Sequence, residues 1–242
     1  MRQLAFIYGA ASYLTFLAAF LYLIGFLGNF AVPRSVDSPP VTPLPEALAV
    51  DIGLLLLFGL QHSVMARPTF KALWTRVVPK SVERSTYVLA SNLALALLYW
   101  QWRAPAGVVW NVDDPIGRGA LWALFAAGWI LVLVATMLID HFDLFGLRQV
   151  WFNLKGRPYE SGGFKTPGPY KLVRHPLYVG WLMAFWATPT MTVSHLIFSL
   201  GTTVYILIAI YFEERNLMHF LGDEYREYRK RVPMLIPRIG KR

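Results

Sequence analysis

The stretch GALWALFAAGWILVLVATMLI, residues 119–139, decides the fold, because it runs for 21 residues without a charged side chain. A helix needs about 20 mostly apolar residues to cross a lipid bilayer. The sequence therefore predicts an all-α, polytopic integral membrane protein with about six transmembrane helices, the last two forming a helical hairpin. The other five apolar stretches are residues 4–30, 47–66, 85–102, 176–188 and 193–212.

The overall composition agrees with a lipid environment. Of the 242 residues, 56% are hydrophobic and 15% are charged, and the mean hydropathy is +0.44. A soluble domain has about 25% charged residues, so a disordered chain is excluded and a water-soluble enzyme is disfavoured. The chain has no cysteine, which excludes disulfides, thiolate metal sites and a cysteine nucleophile. We expect no metal site.

The basic residues are distributed unevenly between the loops. Alternating spans place 20 of the 23 lysines and arginines on one side of the membrane and 3 on the other. The positive-inside rule then predicts that both termini lie in the cytoplasm. The net charge of +9 is thus explained by topology and by attraction to anionic lipid, and no binding to nucleic acid is predicted.

Polar side chains near the span ends collect on the predicted cytoplasmic face. Such groups cost free energy in a membrane and are candidate functional residues. A transporter would need them near the midplane, so the pattern favours a site that opens to the cytosol. The residues are Gln61 and His62; Asp140, His141, Asp143, Arg148 and Gln149; Arg174, His175 and Tyr178; and Glu213, Glu214 and Arg215.

The segment GPYKLVRHPLYVGW, residues 168–181, is the most informative of these. Pro176 suits the first turn of a helix, where its missing N–H is no loss. Arg174 and His175 then lie at a helix start, where backbone donors and the positive end of the dipole favour a carboxylate or phosphate. The alternative is a basic membrane-flanking loop in which Arg174 reaches lipid headgroups.

Glu213 and Glu214 follow a span that is apolar for 20 residues, 193–212. Acidic side chains at a helix C-terminus oppose the dipole, so this pair requires a cation or hydroxyl donors. Two interpretations stay open. One is a ligand ammonium or diol, and the other is a structural ion pair with Arg174 or Arg215 that closes the hairpin.

The cytoplasmic tail is predicted to be amphipathic, with a break at residues 222–223. It is interpreted either as an interfacial helix or as a lid whose aromatic side chains cover a bound cofactor. The apolar face carries Leu217, Phe220, Leu221, Tyr225 and Tyr228, and the opposite face carries Arg226, Arg229 and Lys230.

These motifs together resemble the isoprenylcysteine carboxyl methyltransferase superfamily. The shared pattern is RHPxYxG from Arg174, then two glutamates, then Tyr-x-x-Tyr from Tyr225. The stretches LQHSVMARPTFK (60–71) and ERSTYVL (83–89) resemble its bacterial branch, which includes NnrU-type proteins. The stretch DHFDLFGLRQVW (140–151) resembles the methanethiol S-methyltransferases of that branch. The resemblance spans most of residues 55–235.

The resemblance implies a single membrane-embedded methyltransferase domain, residues 1–242, in the bacterial cytoplasmic (inner) membrane. It also implies a cytosol-facing pocket for S-adenosylmethionine, made by the hairpin ends and the tail, residues 168–235. Within it, Arg174 and His175 are expected to bind the cofactor's carboxylate or to orient the loop. The full set of implied cofactor-binding residues is Tyr170, Val173, Arg174, His175, Pro176, Tyr178, Gly180, Glu213, Glu214 and Tyr225.

The implied reaction is methyl transfer to a small thiol, and methanethiol would give dimethyl sulfide. The thiol must lose its proton, and His141 is the candidate base because an imidazole has a pKa of about 6.5. Asp143 is expected to orient or replace His141, and Arg148 to stabilise the thiolate. Gln149 and His62 complete the candidate catalytic residues.

Alternatives stay open at this point. Asp140, His141 and Arg148 are equally well interpreted as a network that holds a loop at the membrane edge. The acceptor is alternatively a prenylcysteine carboxylate or a lipid amine. A non-enzymatic, NnrU-like respiratory membrane protein is the third possibility.

Overall fold

The computed structural model describes residues 1–160 and 162–238. These residues form ten α-helices and two short strands, and the predicted all-α fold is confirmed. The long helices are α1 (Arg2–Gly28), α2 (Leu44–Met65), α4 (Glu83–Gln101), α5 (Pro115–Ile139) and α9 (Val193–Leu221). The shorter ones are α3 (Pro68–Trp74), α6 (His141–Leu144), α7 (Leu147–Leu154), α8 (Pro176–Trp186) and α10 (Asp223–Arg231). Strands β1 (Val108–Asn111) and β2 (Thr190–Thr192) pair with each other.

The helix lengths agree with a polytopic membrane protein. Among the described helices, α1, α2, α5 and α9 are each long and apolar enough to cross a bilayer. Helix α4 has 19 residues and α8 has only 11. Eleven helical residues rise about 16 Å, whereas the hydrocarbon core is about 30 Å thick. The predicted hairpin arm 176–188 is therefore shorter than expected, because α8 ends at Trp186.

The end of α9 differs from the sequence-based expectation. The helix continues to Leu221, whereas an end at Phe212 was predicted. Glu213 and Glu214 thus lie inside a helix, and the argument from the dipole at a helix C-terminus was wrong for them. The predicted break follows at Gly222, whose φ of 57° is in the left-handed region that glycine adopts easily.

The described residues divide into two compact units, and the first comprises Met1–Val109, Asp140–Gly162 and Met191–Phe198. In it α1 packs against α4 and α7, and α2 packs against α4. Tyrosine hydroxyls tie α1 and α4 together: Tyr8 donates to Thr86 Oγ1 at 3.1 Å, and Tyr99 donates to the carbonyl of Ala19 at 3.0 Å. Such bonds between helices in a membrane contribute about 1 kcal/mol each.

The second unit comprises Trp110–Ile139, Gly163–Thr190 and Ser199–Arg242, of which the last four residues lie outside the described part. Helices α5 and α8 approach closely in it. A Cβ at Gly180 would lie 2.8 Å from the carbonyl oxygen of Gly128, and a Cβ at Gly128 would lie 2.7 Å from the nitrogen of Ala184. Only glycine allows this backbone contact. The single domain expected over residues 1–242 stays a prediction.

Candidate active site

The RHP motif lies where the sequence predicted it, at the start of a helix. Pro176 is the first residue of α8 and His175 is its N-cap. A 3-10 turn, Gly168–Lys171, leads into it, and Gly168 has a φ of 51°. Tyr170, Val173, His175 and Pro176 are buried, so the loop is part of the folded protein and not a free headgroup-binding segment.

Glu214 is the centre of a buried ionic cluster in the second unit. Its Oε1 accepts from Arg174 Nε at 2.7 Å and contacts His175 Nε2 at 3.0 Å, and its Oε2 lies 3.2 Å from Arg229 Nε. The residue is only 5% exposed. The ion-pair interpretation thus describes the contacts of Glu214, and its carboxylate is already occupied by protein cations. Arg229 belongs to the cluster and was not identified as a site residue from the sequence.

Glu213 has a different environment from its neighbour. It is exposed, and the Tyr178 hydroxyl donates to its Oε2 at 2.9 Å. Adjacent helical residues point about 100° apart, so one carboxylate of the pair faces the protein and the other faces outward. Glu213 is therefore the carboxylate that a ligand can reach.

The tail is held against the RHP loop by backbone and side-chain bonds. The N–H groups of Arg174 and His175 donate to the carbonyls of Pro233 and Met234 at 2.8 and 3.2 Å. Arg174 Nη1 also donates to the carbonyl of Val232 at 2.6 Å. The sequence contained no signal for this pairing, because the partners are about sixty positions apart and interact through the backbone.

Most of the predicted apolar face of the tail packs against protein, whereas Phe220 on the same face is 67% exposed. The buried side chains Tyr225, Tyr228 and Val232 form one cluster, which Phe164, Leu217, Met218 and Leu221 cover. Tyr225 and Tyr228 are therefore not available to lie on a membrane surface, whereas Phe220 is. Both interpretations of the tail, as an interfacial helix and as a lid, stay predictions.

Two tyrosine hydroxyls of this cluster differ in their partners. Tyr228 donates to the carbonyl of Tyr170 at 2.6 Å. The Tyr225 hydroxyl is buried and has no hydrogen-bond partner in the described part of the chain. Burial raises the pKa of Tyr225, and the nearby Glu214 raises it further, so the phenol stays protonated. Tyr170, in turn, uses its own hydroxyl on the carbonyl of Ala135, at 3.4 Å.

An apolar groove of about 540 Å³ lies beside the RHP loop. Residues from α8 form one wall, and the chain that follows α10 forms the other. Because Pro233 and Met234 also pair with Arg174 and His175, the groove adjoins the ionic cluster. Its lining residues are Val179, Leu182, Met183, Pro233, Met234, Leu235 and Ile236.

His141 lies in the first unit, at the start of α6. It is 3% exposed, and its Nε2 is 2.8 Å from the hydroxyl of Tyr13 on α1. Burial lowers the pKa of His141 below its ordinary value, so the imidazole is neutral at pH 7. A neutral imidazole is the form that can accept a proton.

The other polar residues of this segment bond to one another. Asp143 Oδ1 accepts from Tyr159 at 2.6 Å and from Gln149 Nε2 at 3.1 Å, and Arg148 pairs with Asp140. Burial, followed by the Asp143 carboxylate, raises the pKa of Tyr159 to about 12. Tyr159 was not identified from the sequence, since it lies in an irregular stretch without a motif.

His62 has partners of its own between α2 and α4. Its Nδ1 is 3.1 Å from Ser91 Oγ, and its Nε2 is 2.7 Å from the Tyr87 hydroxyl. These partners differ from those of His141. The remaining predicted residue, Gly180, lies at the crossing of α5 and α8, where its role is close packing.

The described residues contain no group of three His, Cys, Asp or Glu side chains that could hold a metal ion.

Fold and site together define an all-α polytopic membrane protein with a charged cluster at the start of a short helix. Comparison with known proteins is more specific. The chain is 56% identical over 236 residues to a methanethiol S-methyltransferase of Mycobacterium tuberculosis, covering 98% of this chain and 97% of the relative. It is 53% identical to one of Crocosphaera subtropica, over 100% and 94% of the two chains. The chain belongs to the methanethiol S-methyltransferase family and is a methyltransferase.

More distant relatives extend beyond bacteria. Nurim of Mus musculus is 32% identical over 195 residues, which cover 75% of this chain and 72% of nurim. No family model matches the chain, and no solved structure does. The predicted family is thus confirmed by sequence identity.

Proposed function

We propose that this protein transfers a methyl group from S-adenosylmethionine to methanethiol and releases dimethyl sulfide, in a bacterial cytoplasmic membrane with both termini in the cytoplasm. The observation that supports this most strongly is the identity of 56% and 53%, over nearly the whole chain, to relatives named methanethiol S-methyltransferase. Sequence identity at this level over nearly the whole chain favours the same reaction as that of the named relatives.

The residues around the RHP loop fit S-adenosylmethionine, which has a carboxylate, an ammonium, a ribose diol and an adenine. The exposed Glu213 suits the ammonium or the diol, and the unpartnered Tyr225 hydroxyl is available for a further hydrogen bond. The start of α8 suits the carboxylate. The apolar groove suits the adenine. Arg174 and His175 act mainly through Glu214, so their proposed role is to orient the loop.

S-adenosylmethionine, when bound, would supply a methyl group on a positively charged sulfur. The chain's own task is to provide the thiolate. His141 takes the proton of the thiol on its neutral imidazole, and a positioned base of this kind contributes roughly 10²–10⁴-fold. Tyr13 holds the His141 ring through the 2.8 Å contact to Nε2. Gln149, which donates to Asp143, and Arg148, which pairs with Asp140, are proposed to keep the segment in place together with these two carboxylates.

The test uses detergent-purified full-length protein and a cofactor with a trideuterated methyl group. Methanethiol is added, and the headspace is analysed by mass spectrometry for dimethyl sulfide that is three mass units heavier. In parallel, calorimetry measures binding of S-adenosylhomocysteine. We expect labelled sulfide from the wild type, and none from Glu214→Gln. The exposed Glu224→Gln is the matched control.

Each outcome leads to a different conclusion. Binding with labelled sulfide supports the proposal. Binding without sulfide rejects methanethiol as the acceptor, and a screen of prenylcysteine and lipid amines follows. Folded protein that binds no S-adenosylhomocysteine would reject the enzyme and leave a membrane-partner role.

A further inference from the structure

Four aromatic rings surround His141, and we call them the aromatic enclosure: Tyr13, Phe16, Phe142 and Phe145. The centroid of the His141 ring is 4.8 Å from that of Phe145 and 5.5 Å from that of Phe142. The centroids of Tyr13 and Phe16 lie at 5.7 and 6.1 Å. Aromatic side chains therefore approach the candidate base His141 from several sides.

Two elements distant in the sequence build this enclosure. Tyr13 and Phe16 are three residues apart on α1, so they share one face of that helix. Phe142 lies in α6 and Phe145 directly after it. The rings of Phe16 and Phe145 stack with centroids 3.6 Å apart and planes at 21°, which joins the two elements beside His141.

The chemistry of the enclosure selects among acceptors. Its four side chains carry no charge. Of the charged groups nearest to His141 along the chain, Asp140 pairs with Arg148, and Asp143 accepts hydrogen bonds from Tyr159 and Gln149. A carboxylate or an ammonium would lose its hydration there without a partner. A neutral thiol suits the place, because sulfur makes favourable contacts with aromatic rings.

We propose that the stacked pair Phe16 and Phe145 limits the acceptor to short-chain thiols by filling the space beside His141. The inference rests on the proposed function, in which His141 receives the thiol proton. Phe16 and Phe145 are both half-buried. A longer alkyl chain beside His141 would therefore have to push their two rings apart. Removing one ring leaves room for that chain.

The experiment measures kcat/KM for methanethiol, ethanethiol and 1-butanethiol in wild type, Phe16→Leu and Phe16→Ala. We expect the butanethiol-to-methanethiol ratio to rise about tenfold in Phe16→Ala, with Phe16→Leu between the two. Phe26→Ala is the matched control. Phe26 is a buried phenylalanine on the same helix, ten residues further on, and packs against Tyr99, Trp102 and Phe198.

Folding of each variant is checked by binding of S-adenosylhomocysteine and by thermal melting. If Phe16→Ala does not fold, Phe16→Leu and Phe145→Leu decide the question. An unchanged ratio in the folded variants overturns the inference, as does an equal rise in Phe26→Ala. A wild type that methylates no thiol overturns the proposed function itself, whereas a wild type active on methanethiol with an unchanged ratio overturns only the size limit.

Discussion

At the residue scale, a buried hydroxyl without a partner is the sharpest indication of a ligand. Such a group normally costs stability, so it persists where something else uses it. Tyr225 has this property, while Tyr228, three residues on, donates its hydroxyl to Tyr170. The two residues therefore form a matched pair for mutation.

We expect Tyr225→Phe to weaken binding of S-adenosylhomocysteine about 3- to 10-fold, the value of one hydrogen bond, and to leave the melting temperature unchanged or higher. Tyr228→Phe should instead lower the free energy of unfolding by about 1 kcal/mol. Calorimetry and thermal melting measure both. Loss of stability without loss of affinity in Tyr225→Phe would remove this hydroxyl from the proposed cofactor site.

The second residue-scale prediction concerns pH. Burial lowers the pKa of His141, so the group takes up a proton only at a pH below its ordinary value of about 6.5. The rate of methyl transfer should therefore fall as the pH is lowered, with a midpoint below about pH 6.5. His141→Gln should lower kcat/KM roughly 10²–10⁴-fold and abolish this fall in rate at low pH. His219→Gln, at an exposed histidine of α9, is the control.

The same pKa shift has a consequence for stability. The unfolded chain binds the His141 proton at a higher pH than the folded protein does. The contribution of His141 to stability is thus complete above about pH 6.5 and is lost as the pH falls toward the folded-state pKa. A melting temperature that does not decline more steeply with acid in the wild type than in His141→Gln would contradict the assignment.

At the element scale, the crossing of α5 and α8 depends on two glycines. In Gly180→Ala the new Cβ meets the carbonyl of Gly128 at 2.8 Å, and backbone cannot move aside as a flexible side chain does. We expect destabilisation of about 1–3 kcal/mol, the usual cost of overpacking, and weaker cofactor binding because α8 begins at the RHP loop.

Gly119→Ala, on the partner helix α5, provides the control. Nothing lies within 4 Å of a Cβ at Gly119, so this change should be neutral or stabilise α5 by up to about 1 kcal/mol. Denaturation in detergent measures both variants. Equal effects would mean that helix propensity, and not the backbone contact, determines the result.

At the scale of the whole molecule, the absence of cysteine permits a clean test of topology. Single cysteines are introduced by Arg76→Cys, Glu224→Cys and Asp113→Cys, all at exposed positions. A membrane-impermeant maleimide added to intact cells should label only Asp113→Cys, since the positive-inside rule places the other two in the cytoplasm. Labelling of Arg76→Cys from outside would reverse the proposed orientation.

Much of the architecture followed from the sequence because lipid imposes a simple rule: each crossing needs a long apolar helix. The predicted end of the fourth span, at residue 139, coincides with the end of α5 at Ile139. The start of α8 at Pro176 also agreed, since proline suits a first helical turn. Both are local properties of the chain.

Tertiary structure alone decided what each polar or aromatic side chain touches. Helix α9 continues beyond Phe212, and Glu214 within it is paired with Arg174 and Arg229 instead of ending the helix. The period of the tail predicted an apolar face, yet only packing showed that protein covers Tyr225 and Tyr228 of that face and leaves Phe220 exposed. His141 is enclosed by Tyr13 and Phe16, more than a hundred residues away. Contacts over such separations depend on how helices pack, and no local pattern encodes that.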